Sequence, residues 1–286
     1  HTNMAKDVLF EIGAEEIPAG YMPSLLEQFK TMAEAKLAEH RLSFGSIRTL
    51  GTPRRLALLI NGVADASEDL SERHKGPSVQ IAYDKDGNPT KAAMGFARGK
   101  GVDVNDLVVE DGYIYAETTT AGVPAMKIFE EVLPQLLTGL SFPKSMHWAD
   151  RDEKFVRPVR WLLALLDTAV VPMEFAGVRA SNFSRGHRFL GERGVLVQHP
   201  ADYIKAMEDN FVIVDQDKRR AMISEQLEAL AKEHNATIVH DDDLLEEINF
   251  LVEYPTALCG GFADSYLELP DAAVITPMKD HQRYFP

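Results

Sequence analysis

The chain has 286 residues, of which 45% are hydrophobic and 26% charged, enough to bury one large core or two ordinary ones. Its single cysteine, Cys259, excludes an internal disulfide and any multi-cysteine metal site, and is typical of a protein of the reducing cytoplasm. A net charge of −14 opposes nonspecific binding to nucleic acid, so any such contact must come from a local basic patch. The longest uncharged apolar run, residues 161–166, is too short to cross a bilayer, so we expect no membrane span.

The beginning of the chain predicts a strand, a helix and a second strand. The strands are expected at residues 8–12 and at Arg55–Val63, and residues 22–42 between them carry apolar side chains at helical spacing. Residues 1–3 precede a plausible initiator methionine, Met4, and are interpreted as a remnant of expression cloning.

A small inserted subdomain is predicted at residues 81–122. The polar stretch 65–75 and the breaker pair Gly76-Pro77 come before it, and residues 86–89 read as a turn. Within it we expect a helix at 91–98, a short helix at 104–107 and a hairpin that begins at Tyr113.

The rest of the chain predicts alternating helices and short strands. Helices are expected at residues 125–137, 158–166, 218–233 and 244–252, the last capped by the three aspartates at 241–243. Short strands are expected at 170–175 and 211–214. The predicted fold class is therefore α+β, with mixed sheets and packed helices.

Motifs that carry catalysis are absent from the sequence. It contains no phosphate-binding Gly-x-x-x-x-Gly-Lys-Ser/Thr, no Gly-x-Gly-x-x-Gly, no Gly-x-Ser-x-Gly elbow and no His-Glu-x-x-His helix. The sequence therefore predicts neither a catalytic residue nor a metal site.

Basic and aromatic residues are concentrated in the middle of the chain. From Lys144 to Arg193 there are nine Lys or Arg against six Asp or Glu, whereas residues 234–286 hold two against ten. Guanidinium groups match phosphate geometry and stack on bases, which predicts a surface that binds a polyanion such as RNA. The candidate residues are Lys144, Arg157, Arg160, Arg185, His187 and Arg188.

Each candidate also has a structural alternative. The arginines could form ion pairs within the chain, and His187 could contact RNA or satisfy a buried carbonyl. Trp148 and Trp161 could stack on unpaired bases, but the apolar residues after Trp161 favour a place in the core.

A polar cluster near the end of the sequence could position a ribose or a phosphate, and could equally form a capped turn. It consists of Lys279, His281, Gln282 and Arg283.

Eight ordered blocks span nearly the whole chain and are specific when taken together. They are Phe10-Glu-Ile-Gly-Ala-Glu-Glu-Ile-Pro18, Thr52-Pro-Arg-Arg-Leu-Ala57, Gly87-Asn-Pro-Thr-Lys-Ala-Ala-Met-Gly-Phe-Ala97, Phe142-Pro-Lys-Ser-Met-His-Trp148, Phe155-Val-Arg-Pro-Val-Arg-Trp161, Arg185-Gly-His-Arg-Phe189, Leu251-Val-Glu-Tyr-Pro255 and Met278-Lys-Asp-His-Gln-Arg-Tyr-Phe285. The pattern resembles the N-terminal part of the beta subunit of bacterial heterotetrameric glycyl-tRNA synthetase. His147 stands where this resemblance would favour arginine.

The resemblance implies that residues 4–286 form an N-terminal module similar to the editing-type module of the phenylalanyl-tRNA synthetase beta chain. It also implies a helical domain and an anticodon-binding domain further along, before which this sequence ends. In that family the alpha subunits form the site that activates glycine with ATP and Mg, whereas the beta subunit serves tRNA recognition and aminoacylation. The implied partners are thus the alpha subunit, in an alpha2 beta2 tetramer, and glycine tRNA, with no cofactor or catalytic residue in this chain.

Two other functions remain open from the sequence. The module could hydrolyse mischarged tRNA, although a site sized for glycine excludes larger amino acids sterically and needs no second sieve. It could also serve subunit assembly without touching RNA.

Overall fold

The computed structural model describes residues 5–142, 158–238, 241–255 and 267–268, and these form an α+β fold. The chain divides into two compact units. The first comprises the described parts of His1–Asp65 and Ala125–Pro286, and the second is Ala66–Pro124. None of the described helices is long and apolar enough to cross a membrane.

Strands and helices are numbered here in chain order. The strands are β1 (Lys6–Ala14), β2 (Ser46–Thr52), β3 (Arg55–Val63), β4 (Leu70–Ser78), β5 (Val108–Glu110), β6 (Tyr113–Thr120), β7 (Val159–Leu166), β8 (Ala169–Val170), β9 (Glu174–Phe175), β10 (Val178–Ser181), β11 (Phe183–Ser184), β12 (Val195–Leu196), β13 (Thr237–Ile238) and β14 (Leu267–Glu268). The helices are α1 (Met22–Glu39), α2 (Val79–Ala82), α3 (Lys91–Gly99), α4 (Ala125–Thr138), α5 (Tyr203–Asp209), α6 (Gln216–Glu233) and α7 (Asp242–Asn249).

The first unit is built on one sheet with the strand order β2-β3-β1-β7-β10-β9, to which β8 adds by pairing with β7. Its strand pairs are antiparallel except β10 with β7. Phe10 of β1 packs with Phe29 of α1 and Phe129 of α4 in the core on one face. Leu163 of β7 packs with Tyr203 of α5 in the core on the other face. The predicted strands at 8–12 and 55–63 are confirmed, as is the helix that begins at residue 22.

The prediction of a helix at residues 158–166 is wrong, because Val159–Leu166 is the strand β7. Its residues 161–166 are all apolar, and periodicity cannot distinguish a buried strand from a buried helix in such a run. The strand lies beside β1 near the middle of the sheet, with apolar cores on both faces, which explains the missing alternation.

The predicted strand at residues 211–214 is also wrong. Val212, Ile213 and Val214 are buried, yet they form a connection between α5 and α6 with no strand pairing. These residues are apolar because they pack in the interior, not because they form part of a β-sheet.

Helix α6 is fixed to the sheet by a buried arginine. Arg219 donates to the carbonyls of Gly51 on β2 (2.8 Å), Ile213 (2.6 Å) and Asn249 at the end of α7 (2.7 Å). Helix α7 begins after Asp241, whose side chain accepts from the Leu244 N–H, as the capping prediction requires.

The second unit is a three-stranded sheet, in the order β4-β6-β5, that packs against short helices. Its small core contains Ala82, Ala93 and Ile114. Strand β4 begins within the polar stretch 65–75, and none of its residues is buried, so no alternation of buried apolar residues marked it as a strand. The region 81–122 lies inside this unit, and β5 and β6 form a hairpin through Asp111 and Gly112, both with positive φ.

Candidate nucleic-acid interface

The floor of the candidate site is a buried carboxylate, Glu11 of β1, which has no solvent exposure. It accepts hydrogen bonds from Trp161 Nε1 (2.5 Å), Ser184 Oγ (2.5 Å) and the Tyr203 hydroxyl, with Arg55 Nη1 at 3.4 Å. Burial and the charge of Glu11 raise the pKa of Tyr203, which therefore remains a hydrogen-bond donor.

A second buried carboxylate, Glu253, joins the segment after α7 to β3. It accepts from Arg55 Nε (2.6 Å) and Thr52 Oγ1 (2.6 Å), and Arg54 Nη1 lies 3.3 Å away. Burial is the largest single influence and would raise the pKa of Glu253, but the charge and hydrogen bond of Arg55, the charge of Arg54 and the hydrogen bond from Thr52 together outweigh it, so that the pKa is lowered. Burial likewise opposes the charge on Arg55, and Glu253 followed by Glu11 outweigh it, so that its pKa is raised.

Trp161 lies between this buried network and the surface. The residue is 6% exposed, and the guanidinium carbons of Arg54, Arg55 and Arg185 lie 5.4, 5.2 and 5.0 Å from the centroid of its ring. A side-chain carbon at Gly13 would stand 1.9 Å from this ring, so the indole needs glycine beneath it. The prediction that Trp161 belongs to the core is confirmed.

The loop from Ser184 to Gly194 folds tightly and presents basic side chains. The Gly186 N–H donates to the Glu192 carbonyl (2.8 Å), and the Gly191 N–H donates to the His187 carbonyl (3.0 Å). Both glycines allow close backbone approach, since an added Cβ at Gly191 would lie 2.3 Å from the Asn210 carbonyl oxygen. The loop carries Arg185, Arg188 and Arg193.

Five arginines line three open cavities that share lining residues, with volumes of about 590, 480 and 300 Å³. We call this surface the arginine cleft. Its members are Arg54, Arg160, Arg185, Arg188 and Arg193.

The arginines of the cleft differ in how their charge is balanced. Arg160 pairs with Glu15, and Arg54 pairs with Glu253. Within the part of the chain that the structure describes, the other three arginines of the cleft form no ion pair with a carboxylate. Burial, followed by the charges of Arg193 and Arg160, lowers the pKa of Arg185. Glu15, Glu16 and Glu192 also line these cavities, so five arginines stand beside three carboxylates and the cleft keeps an excess of positive charge, which an anion bound there would reduce.

The structure brings four of the sequence candidates together, namely Arg160, Arg185, His187 and Arg188. It adds Arg54 and Arg193, which the candidate set missed, although both lie in segments that the sequence had singled out. Lys144, Trp148, Arg157 and the cluster Lys279, His281, Gln282 and Arg283 lie outside the described residues.

His187 shapes the loop through its ring. Its Nδ1 accepts from the Phe189 N–H (3.1 Å) and the Leu190 N–H (3.2 Å). Burial is the largest cause of its lowered pKa, and the charges of Arg54 and Arg55 add to that effect. The neutral ring therefore carries its proton on Nε2, which can donate to a ligand in the cleft.

Another cavity, of about 590 Å³, lies between the start of α1 and helix α7. Four acidic residues line it, namely Glu16, Asp243, Glu246 and Glu247, and their charge makes it unsuitable for a polyanion.

One group of side chains has the composition of a metal site. Ligand atoms of Asp7, Asp167 and His199 lie within 4.8 Å of one another. However, His199 Nδ1 accepts from the Ala201 N–H (3.0 Å), so Nε2 carries the proton and lies 3.3 Å from Asp167 Oδ1. This tautomer leaves His199 no lone pair for a metal ion, and hydrogen bonding accounts for the cluster.

Comparison with known proteins places the chain in a family. The family model described as glycyl-tRNA synthetase beta subunit matches residues 8–286. Relatives named glycine–tRNA ligase beta subunit are 47% identical in Desulfitobacterium hafniense strain Y51, 48% in Moorella thermoacetica and 45% in Listeria monocytogenes, each over 99% of this chain. The chain spans about two fifths (41%) of the length of these relatives. The chain therefore belongs to the glycyl-tRNA synthetase beta subunit family.

Proposed function

We propose that this chain is the N-terminal part of a glycine–tRNA ligase beta subunit and binds the phosphate backbone of glycine tRNA in the arginine cleft. The observation that carries the proposal is that Arg185, Arg188 and Arg193 form no ion pair within the described residues, although the chain as a whole has 44 acidic residues against 30 basic ones. Such cations are free to pair with phosphates bidentately.

The buried network beneath the cleft supports this function by holding the cleft in place. Glu253 orients Arg54, and Trp161, which donates to Glu11, gives Arg185 an aromatic surface against which to rest. A preorganised set of cations loses less conformational entropy when a phosphate binds than mobile surface lysines would.

In the whole enzyme, we propose that tRNA held in this way is positioned for an active site on the alpha subunit, within a cytoplasmic alpha2 beta2 tetramer. Positioning is a contribution to catalysis that needs no reactive group in this chain. ATP and Mg would be used on the alpha subunit. We also propose that the first unit is similar to the editing-type module of the phenylalanyl-tRNA synthetase beta chain.

The test is binding of glycine tRNA to the 286-residue chain over a series of salt concentrations. The variant carries Arg185→Gln, Arg188→Gln and Arg193→Gln. The control carries Lys30→Gln, Lys127→Gln and Lys232→Gln, which removes the same charge from exposed lysines that form no ion pair within the described residues.

If the proposal is right, the cleft variant loses at least about tenfold in affinity. The slope of log affinity against log salt should fall by about two to three, since each phosphate contact contributes about 0.9. The lysine control should keep its affinity for tRNA within about twofold of the parent chain and should show a similar salt slope. Equal behaviour of the two variants, with melting temperatures unchanged, would show that the cleft arginines do not bind tRNA and would favour an assembly role.

A further inference from the structure

The second unit carries a cationic surface of its own on helix α3. Ala93 and Ala97 of this helix are buried in the unit, whereas Lys91, Gly95 and Arg98 are exposed on the opposite face at positions i, i+4 and i+7. We call these three residues the α3 strip. Lys100 follows at the end of the helix and is also exposed.

The charge of this surface is unusual for an acidic chain. Residues 87–102 contain three cations and no acidic residue, in a sequence with 44 acidic and 30 basic residues. Within the described residues, Lys91, Arg98 and Lys100 form no ion pair. Of the acidic residues that flank this segment, Asp84 accepts from the Asp86 and Asn88 N–H groups and Asp103 caps a short 3-10 helix, whereas Asp86 and Asp106 are exposed.

Gly95 has no structural role that the described part of the chain reveals. It lies in the middle of α3 without a positive φ, and an added Cβ would meet no atom within 4 Å. A glycine at such a position costs about 1 kcal/mol of helix stability relative to alanine. Its place between Lys91 and Arg98 leaves a gap in which a ligand can approach the helix backbone.

We infer that the α3 strip, with Lys100, binds the sugar–phosphate backbone of RNA. The two cations of the strip would each reach a phosphate on either side of the gap at Gly95. An anionic polymer fits the charge of this face, and the lack of aromatic side chains in the strip favours the backbone over unpaired bases. The identity of the RNA as tRNA rests on the proposed function, but the strip belongs to the second unit and shares no residue with the arginine cleft.

Two kinds of variant test this inference by tRNA binding over a salt series. The first removes charge by Lys91→Gln, Arg98→Gln and Lys100→Gln. The second is Gly95→Leu, which keeps the charge and fills the gap with a side chain of better helix propensity. The lysine control of the cleft experiment removes the same charge, and the cleft variant is measured alongside.

The charge variant should bind tRNA about tenfold or more weakly, and its slope of log affinity against log salt should fall by about two to three. The affinity of the lysine control should change by less than about twofold. Gly95→Leu should weaken binding about fivefold while its melting temperature is unchanged or higher, an outcome that a merely solvated helix face would not give. Normal binding by Gly95→Leu, with a charge variant that matches the control, would overturn the inference.

Measuring the cleft variant, the strip variants and the parent chain side by side distinguishes failure of this inference from failure of the proposed function. Loss of binding in the cleft variant alone overturns the α3 strip and leaves the cleft standing. Loss of tRNA binding in the strip variants alone supports the α3 strip and overturns the proposed role of the cleft. A parent chain that binds no tRNA overturns both.

Discussion

Replacing Arg55 by methionine should destabilise the fold strongly, because it leaves two buried carboxylates without their shared cation. Arg55 is fully buried, and its guanidinium lies 2.6 Å from Glu253 and 3.4 Å from Glu11. Removal of one partner from a buried ion pair costs about 3–5 kcal/mol. Glu253 retains Thr52 and Arg54, so we expect the lower end of that range, about 3 kcal/mol. Urea denaturation at neutral pH measures this cost.

The effect should also depend on pH in a defined direction. Arg55 lowers the pKa of Glu253, so in the parent chain the stability from this carboxylate is present above its unfolded pKa and is lost as the pH falls through the lower folded pKa. Without Arg55 the folded pKa of Glu253 must rise, and protonation then removes the buried charge. The stability difference between parent and variant should therefore narrow between pH 7 and about pH 4.

Arg48→Met is the matched control, because Arg48 forms an ion pair with Asp215 while its side chain is 49% exposed. Exposed pairs contribute about 0–1 kcal/mol. If Arg55→Met cost no more than this control, or if its cost were the same at both pH values, Arg55 would not be neutralising the buried carboxylates.

Three further changes test the packing around the site. Arg219→Met leaves three backbone carbonyls without their donor and should cost at least about 2 kcal/mol in urea denaturation. Gly13→Ala should cost about 1–3 kcal/mol and shift the tryptophan fluorescence, since the new methyl group would overlap the Trp161 ring; an unchanged spectrum and stability would contradict this contact. Asp241→Ala removes the cap of α7 and should lower the free energy of unfolding by about 1 kcal/mol, with no effect expected from Asp242→Ala.

Elements with a clear period or a capping signal were predictable from the sequence. Helix α1 shows helical spacing of apolar residues, and α7 begins at the predicted aspartates, of which Asp241 is the cap and the next two form the first turn. Strand β7 was not predictable, because burial on both faces removes the alternation that marks a strand. Strand β4 was missed for the opposite reason, since none of its residues is buried.

The candidate site shows the same division between local and distant information. The sequence indicated a basic surface around Arg160, Arg185 and Arg188, because charge concentration can be read residue by residue. It gave no reason to single out Glu11, which resembles any carboxylate of an acidic chain. Four donors from distant segments converge on Glu11, and only the fold brings them together.

By itself, the sequence determined the family, the α+β class and the concentration of positive charge, since each is carried by residue identity and order. Only the tertiary structure decided what adjacent arginines do. Arg54 lines the cleft whereas Arg55 is fully buried, and the sequence around them does not distinguish the two. Glu253, 198 residues beyond Arg55, contacts both arginines because the chain folds back onto β3, but only Arg55 also pairs with the buried Glu11. A buried charge is tolerated only where such a partner arrives, and its arrival is a property of the whole fold.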